Sequence, residues 1–279
     1  MKMPEQPDKQ DGLTPVRQGM LGQTCYQVHG QGEPLVLIHG VGMGKEVWAP
    51  QIEAFAADYQ VISYDMLGHG GSAIPDENVT LADYARQLYQ LLTDLKISAA
   101  NIVGHSMGAL VALEFALTYP DKVIRLVPMN AVYCRTEAQR AAVEKRATEL
   151  VMPSSDASLE STIERWFGSP VTAGLQQAEA LVRRFLTSVN PTGYARTYRL
   201  FATSDRVHQG RLGQLSMPVM YLTGELDANS SPAMSAEMAS ETPGGRCVVL
   251  PLARHMMGIT SPTETNKALA DFFATTTPL

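Results

Sequence analysis

The sequence has no block of like charge and no long hydrophobic run. Lys and Arg number 22 and Asp and Glu number 28 among 279 residues, which gives a formal net charge of −6. Because no basic block of five or more residues occurs, nucleic acid is not an expected partner. Glu114 interrupts the apolar run after Ala109, and no run approaches the roughly 18 residues that a membrane-spanning helix needs. We therefore expect no association with nucleic acid or membrane.

Cysteine is scarce and follows no pairing pattern. Cys25, Cys134 and Cys247 are odd in number, widely spaced and without a C-x-x-C pair. This usage favours reduced thiols in a cytoplasm and gives no support for a metal site. Residues 1–20 contain three prolines and no apolar core, so we expect a flexible N-terminal tail rather than a secretion signal.

Short apolar runs alternate with longer helical patterns through most of the chain. This alternation is typical of an α/β fold in which a mostly parallel sheet is flanked by helices. A helix is predicted from Leu81 to Leu95, capped by Thr80 with Asp83, and a last helix begins near Ser261. The predicted strands lie at residues 25–28, 35–38, 61–64, 102–103, 123–127, 219–222 and 247–250.

A stretch without strand character interrupts this alternation. From residue 131 to 205 three or four helical segments follow one another, with no intervening β pattern. The simplest interpretation is a helical lid, or cap, inserted between two strands of a core formed by residues 21–130 and 206–279. Its place after the strand near Val127 would let it fold over the carboxyl ends of the strands.

The most informative motif is the G-x-S-x-G sequence from Gly104 to Gly108, centred on Ser106. A predicted strand precedes it and a helical pattern follows it. A chain that reverses from strand to helix this sharply strains its central residue, and glycines two positions away remove colliding side chains. The pattern predicts a serine nucleophile exposed at the carboxyl edge of the sheet.

A serine needs a base and a group that orients the base. His255 follows the last predicted strand, and Asp227 and Glu225 both follow the strand before it. All three are expected at the same sheet edge as Ser106. Asn130 follows the preceding predicted strand, but an amide cannot take the role of the acid.

The negative oxygen formed during attack on a carbonyl needs two donors. The backbone amide of Met107 begins the helix after Ser106, and the amide of Val41 lies in the turn His39-Gly40-Val41-Gly42. These two amides are the predicted oxyanion hole. The glycines here do not form a dinucleotide fingerprint, because position 45 is lysine, and no P-loop follows.

These features together resemble the α/β-hydrolase superfamily over about residues 23–273. The resemblance rests on His39-Gly40, the turn from Asp65 to Ser72, the elbow at Ser106, and the Asp227 and His255 positions. It implies an α/β-hydrolase fold and a Ser106, Asp227, His255 triad, with Asp227 favoured over Glu225 as the acid. No metal or cofactor is expected. His39 and His69 are expected to hold loop backbone, and His105 to point away from the site.

Short matches in the lid are similar to 3-oxoadipate enol-lactonases and related small carboxylesterases. They lie at Arg165-Trp166-Phe167 and Gly193-Tyr194-Ala195. Trp166, Phe167 and Met256 are the candidate substrate-binding residues, although Trp166 and Phe167 could equally pack the lid onto the core. Arg165, Arg183 and Arg184 are expected to be solvated.

The resulting hypothesis is a serine hydrolase that cleaves a small ester or lactone through an acyl-enzyme on Ser106. Four alternatives would use the same fold and catalytic residues: a carbon–carbon bond hydrolase of a diketone, an acyltransferase, a cofactor-free perhydrolase and a slow ligand-binding receptor. Ser106 excludes dehalogenase chemistry, which requires aspartate at the elbow. The partner is a small molecule, and the sequence leaves its identity and the oligomeric state open.

Overall fold

An eight-stranded sheet forms the centre of the chain in a computed structural model that describes residues 15–149 and 156–275. Its strands are β1 (Arg17–Leu21), β2 (Thr24–His29), β3 (Glu33–Ile38), β4 (Tyr59–Tyr64), β5 (Ala100–His105), β6 (Val123–Met129), β7 (Met220–Gly224) and β8 (Arg246–Leu250). Their spatial order is β1-β2-β4-β3-β5-β6-β7-β8. β1 pairs antiparallel with β2 and β2 antiparallel with β4, whereas the remaining pairs are parallel. The predicted mostly parallel sheet is confirmed.

Helices cover both faces of this sheet. The helices of the described residues are α1 (Ala49–Phe55), α2 (Leu81–Asp94), α3 (Met107–Thr118), α4 (Glu137–Glu149), α5 (Asp156–Phe167), α6 (Gln176–Ser188), α7 (Pro191–Thr203), α8 (Pro232–Glu241), α9 (Met257–Thr260) and α10 (Pro262–Thr275). On β3, Val36 and Ile38 join a core with α2 and α3, whereas Leu35 and Leu37 join a core with α1 and α10. Alternate residues of one strand thus serve opposite faces, which explains its uninterrupted apolar character.

The start of α2 agrees with its sequence pattern. Thr80 and Asp83 form the predicted capping box, in which the Thr80 backbone N–H donates to Asp83 Oδ2 over 2.8 Å. This pairing satisfies amides that the first helical turn leaves without partners.

The prediction of an N-terminal tail through residue 20 is wrong for its last part. Residues 17–21 form β1, an edge strand paired with β2. The sequence carries little signal for this strand, because four of its five residues are exposed and no alternation of apolar and polar residues marks it. The Arg17 guanidinium lies 5.8 Å from the centre of the Tyr26 ring, which anchors the strand. Residues 1–14 lie outside the described part of the chain.

Helices α4 to α7 follow one another between β6 and β7, and we call them the helical segment. The segment docks onto the loop after β4 through a close backbone approach. A Cβ atom at Gly193, in α7, would lie 2.3 Å from the carbonyl oxygen of Gly68. Only glycine at position 193 permits this contact. Within residues 15–149 and 156–275, no helix is long and apolar enough to cross a bilayer.

The Gly193→Ala substitution should separate α7 from this loop. Because backbone atoms of Gly68 would have to move, we expect the free energy of unfolding to fall by about 1–3 kcal/mol. Urea denaturation measures this loss. Gly174→Ala is the matched control, because its added Cβ meets no atom within 4 Å. Equal stability of the two variants would contradict the docking role of Gly193.

Candidate active site

Ser106 lies at a sharp reversal of the chain between β5 and α3. Its φ of 56° and ψ of −113° lie in a region that strains a side-chain-bearing residue. A Cβ atom at Gly104 would lie only 2.1 Å from the carbonyl oxygen of Gly108, so the reversal requires glycine at position 104. This backbone places the Ser106 side chain at the carboxyl edge of the sheet, where it lines a cavity.

The loops after β7 and β8 bring the two predicted partners to the same edge. His255 Nε2 lies 3.2 Å from Ser106 Oγ, and His255 Nδ1 lies 2.8 Å from Asp227 Oδ2. Because the Asp227 carboxylate accepts a hydrogen bond, Nδ1 carries the ring proton and Nε2 is left to accept from the hydroxyl. All three residues are buried. This arrangement can move a proton from the serine to the imidazole ring.

The structure separates the two acids that follow β7. Glu225 is exposed, and its Oε2 accepts a hydrogen bond from the Leu252 amide over 2.9 Å. It therefore fastens the loop after β8 at the surface. Asp227, two residues further along, is the acid that reaches the imidazole.

The Asp227 carboxylate is surrounded by donors. Its Oδ1 accepts from the Asn229 and Ser230 amides over 2.8 and 3.2 Å, and its Oδ2 accepts from Asn130 Nδ2 over 2.8 Å. Burial raises the pKa of this carboxyl, but the His255 ring and the hydrogen bonds outweigh burial and hold the pKa below its ordinary value. The group is therefore ionised at neutral pH.

Asn130 is a site residue whose role the sequence did not reveal. It directly follows β6 and has a φ of 49°, a left-handed conformation that asparagine tolerates better than most residues. As predicted, its amide cannot serve as the acid. It instead donates to the carboxylate from the next strand, and the sequence signal for this role is an amide at the end of β6.

Two histidines hold the loop opposite Ser106. His39 donates from Nδ1 to the Gly40 carbonyl over 2.7 Å and accepts at Nε2 from the Met66 amide. His69 accepts at Nε2 from the Gly42 amide over 2.8 Å. Burial lowers the pKa of His39, and burial together with His39 lowers the pKa of His69 to about 3. Both rings are neutral, and the predicted structural role is confirmed.

This loop runs directly against the elbow. A Cβ atom at Gly40 would lie 3.1 Å from His105 Nδ1 and 3.3 Å from Ser106 Cβ. Val41 follows and lines the same cavity as Ser106. Met107 occupies the first position of α3, where a backbone amide has no partner within its helix.

His105 is directed away from the Ser106 hydroxyl but supports its partner. Its Nε2 donates to the backbone carbonyl of His255 over 2.8 Å, and the two ring centres lie 4.9 Å apart. Burial and the neighbouring His255 lower the pKa of His105 to about 3. A neutral ring therefore fixes the backbone from which His255 extends.

A cavity of about 720 Å³ opens above Ser106 and His255. Trp166 lines it, with its ring centre 5.5 Å from that of His255, and also packs into the core shared with α1 and α10. Two other candidate substrate-binding residues lie elsewhere. Phe167 ends α5 and packs into the core shared with α1 and α10, and Met256 lines a separate small cavity below the site. Neighbouring positions on a helix point in different directions, which explains why the Trp166 side chain reaches the cavity and that of Phe167 does not.

The three arginines that were expected to be solvated differ in their surroundings. Arg183 pairs with Glu160 and Glu179, and Arg184 is exposed. Arg165 instead lines the cavity, as does Arg146 from α4. Nothing in the local sequence distinguishes these two arginines from surface residues, because the fold of the helical segment decides where they point.

The described residues contain no group of three or more histidine, cysteine or acidic side chains arranged to hold a metal ion. The three cysteines are free thiols.

A parallel sheet with a serine, histidine and aspartate at its carboxyl edge is the arrangement of a hydrolase. The family model for the alpha/beta hydrolase fold matches residues 33–262. The chain belongs to this family.

Individual relatives agree with this assignment. The chain is 39% identical to an (E)-2-((N-methylformamido)methylene)succinate hydrolase of Acinetobacter baylyi, over 90% of this chain and 94% of the relative. It is 29% identical to a pimeloyl-(acyl-carrier protein) methyl ester esterase of Photobacterium profundum, over 89% and 97%. Among solved structures, an enol-lactonase from Burkholderia xenovorans superposes with a TM-score of 0.83 at 25% identity, over 90% and 96%.

The Asn130→Asp variant should lose activity relative to wild type as pH rises. Two carboxylates within 2.8 Å cannot both ionise, so the pair retains a proton well above the ordinary carboxyl range. The protonated form can still donate to Asp227. We therefore expect kcat/KM of the variant, divided by that of wild type at the same pH, to be highest near about pH 5–6 and to fall as pH rises.

A pH series of kcat/KM for a p-nitrophenyl ester measures this effect. Asn78→Asp, which adds the same charge at an exposed position, should follow the wild-type profile. A parallel profile for Asn130→Asp and wild type would show that the amide does not orient Asp227.

Proposed function

We propose that the chain is a serine hydrolase that cleaves a small ester or lactone through an acyl-enzyme on Ser106. The observation that carries this proposal is the continuous relay from Ser106 Oγ to His255 and on to Asp227, with separations of 3.2 and 2.8 Å. Distances of this size permit proton transfer without rearrangement of the site.

In the first half-reaction, Ser106 Oγ attacks the carbonyl carbon while His255 Nε2 takes the hydroxyl proton. Asp227 stabilises the imidazolium through the bond to Nδ1. When the tetrahedral intermediate collapses, the bond to the leaving group breaks and Nε2 returns the proton to that group. The products of this step are the free alcohol and an ester on Ser106.

In the second half-reaction, water takes the place of the leaving group. His255 accepts a proton from the water as its oxygen attacks the acyl carbon, and the proton then passes to Ser106 Oγ. The acid is released and the serine is restored. His255 alone carries the proton in both half-reactions. This fits the buried histidines nearby, His39, His69 and His105, which are neutral and already hydrogen-bonded.

The amides of Val41 and Met107 form the proposed oxyanion hole. Support comes from the close approach of the Gly40 turn to Ser106 and from the position of Met107 at the start of α3. Donors fixed by backbone stabilise the developing charge without reorganisation. His69 contributes indirectly, because its bond to the Gly42 amide holds the loop that carries Val41.

Helices α4 to α7 act as the lid in this proposal. Val143, Leu159, Trp166, Leu186 and Tyr194 of this segment line the cavity above Ser106. These apolar side chains reduce the access of bulk water to Ser106, which strengthens the electrostatic interactions there. The cavity volume of about 720 Å³ suits a small molecule.

Cleavage of an acyl–nitrogen bond is a second candidate. The name of the Acinetobacter baylyi relative describes a substrate with an N-methylformamido group, and that relative is 39% identical to this chain. The same relay serves this reaction, because His255 can protonate a departing nitrogen as it would an oxygen.

The Ser106→Ala variant tests the nucleophile. It should hydrolyse p-nitrophenyl acetate with kcat lowered by a factor on the order of a thousand or more, because no acyl-enzyme can form. Steady-state kinetics measure the loss, and the thermal melting profile should be unchanged. Ser240→Ala, at an exposed position on α8, is the matched control and should match wild type. Wild-type turnover by Ser106→Ala would exclude the proposed mechanism.

A further inference from the structure

The wall of the cavity formed by the helical segment carries three arginines. Arg135, Arg146 and Arg165 line the same space as Ser106 and His255. A guanidinium group keeps its charge in proteins. A buried or partly buried guanidinium is therefore stabilised by negative or polar groups, which come from the fold or from a bound molecule.

Arg135 is compensated by the protein. Its Nη1 lies 3.8 Å from Asp205 Oδ1 and donates to the carbonyls of Phe201 and Ala202 over 3.3 and 3.1 Å. The guanidinium also lies 4.7 Å from the centre of the Phe201 ring. Arg135 thus fastens the start of the helical segment to the end of α7.

Among the side chains that the structure describes, Arg146 and Arg165 contact only neutral partners. Arg146 Nε donates to the Tyr198 hydroxyl over 3.2 Å. Arg165 donates to Ser161 Oγ and Thr162 Oγ1 over 3.2 and 3.1 Å, and its buried Nε has no hydrogen-bond partner. Among the described side chains, in residues 15–149 and 158–274, neither guanidinium forms an ion pair.

A nearby acid does not neutralise them. Glu149 also lines the cavity, but its side chain is 58% exposed and lies 3.9 Å from Lys145 Nζ. The two arginines act on each other instead: burial first, and then the charge of Arg146, lower the pKa of Arg165. Two like charges in a partly buried wall repel each other and favour an anion between them.

We propose that Arg146 and Arg165 form a carboxylate-binding subsite, and that the substrate of this enzyme is a small acylated compound that carries a carboxylate. This inference rests on the proposed Ser106 chemistry, because the subsite lies in the cavity that the serine faces. Planar guanidinium groups bind carboxylates through paired N–H donors. The Nε of Arg165 is buried without a partner, so the described part of the fold leaves this guanidinium incompletely satisfied.

This subsite gives the enzyme a basis for discrimination. A carboxylate held by both arginines satisfies their donors, whereas a neutral analogue leaves two charges in the wall without an anion. Substrate charge is therefore expected to affect KM more strongly than kcat, since the contact exists both before and during the reaction.

The test compares binding and turnover separately. In calorimetry with the Ser106→Ala variant, succinate should bind and neutral succinamide should not. Adding Arg165→Met or Arg146→Met should weaken succinate binding by about 10- to 100-fold, the range for a lost hydrogen bond to a charged group. Arg165→Lys, which keeps the charge but loses the planar donors, should restore part of it. Arg199→Met, on the exposed side of α7, is the matched control and should bind like its parent.

Turnover gives the second readout. We divide kcat/KM for mono-p-nitrophenyl succinate by kcat/KM for p-nitrophenyl acetate. This ratio should fall by about 10-fold or more in Arg165→Met and remain unchanged in Arg199→Met. Equal binding of succinate and succinamide, or an unchanged ratio in both cavity variants, would overturn the subsite. Failure of the serine mechanism would appear differently, as p-nitrophenyl acetate turnover that survives in Ser106→Ala.

Discussion

The proposed chemistry depends on one backbone constraint, the strained reversal at Ser106. The reversal exists because Gly104, Gly108 and Gly40 allow three backbone segments to approach more closely than side chains would permit. Ile38 at the end of β3 also lies against this point, since a Cβ atom at Gly108 would meet its carbonyl oxygen at 2.3 Å. The packed ends of β3 and β5 therefore hold the strain that keeps the serine hydroxyl facing the cavity.

A second layer of buried polar groups holds the partners of the serine. His105 fixes the backbone of His255, and Asn130 fixes the Asp227 carboxylate. His69 holds the loop that carries Val41. These side chains are buried, and each has a hydrogen-bond partner that leaves it in one orientation. Displacing one of these buried groups would leave a polar atom without its hydrogen-bond partner, which costs free energy. The site is therefore preorganised before any substrate enters.

The sequence predicted the sheet and the Ser106, Asp227 and His255 positions because both carry local signals. Continuous apolar runs mark strands buried on two faces, and the glycines around Ser106 mark a strained turn. β1 escaped prediction because an exposed edge strand needs no apolar pattern. The different positions of Trp166 and Phe167, and the exposure of Arg146 and Arg165 to the cavity, depend on how four helices pack. Helical periodicity alone does not determine that packing.

The most direct test of the central claim is covalent labelling by diisopropyl fluorophosphate, followed by peptide mapping in a mass spectrometer. In the proposed mechanism, the relay makes the Ser106 oxygen more nucleophilic than an ordinary serine hydroxyl. The account therefore predicts a single adduct, on the peptide that contains Ser106, and loss of esterase activity in proportion to labelling. Adducts on another residue, or full activity in enzyme labelled at Ser106, would contradict it.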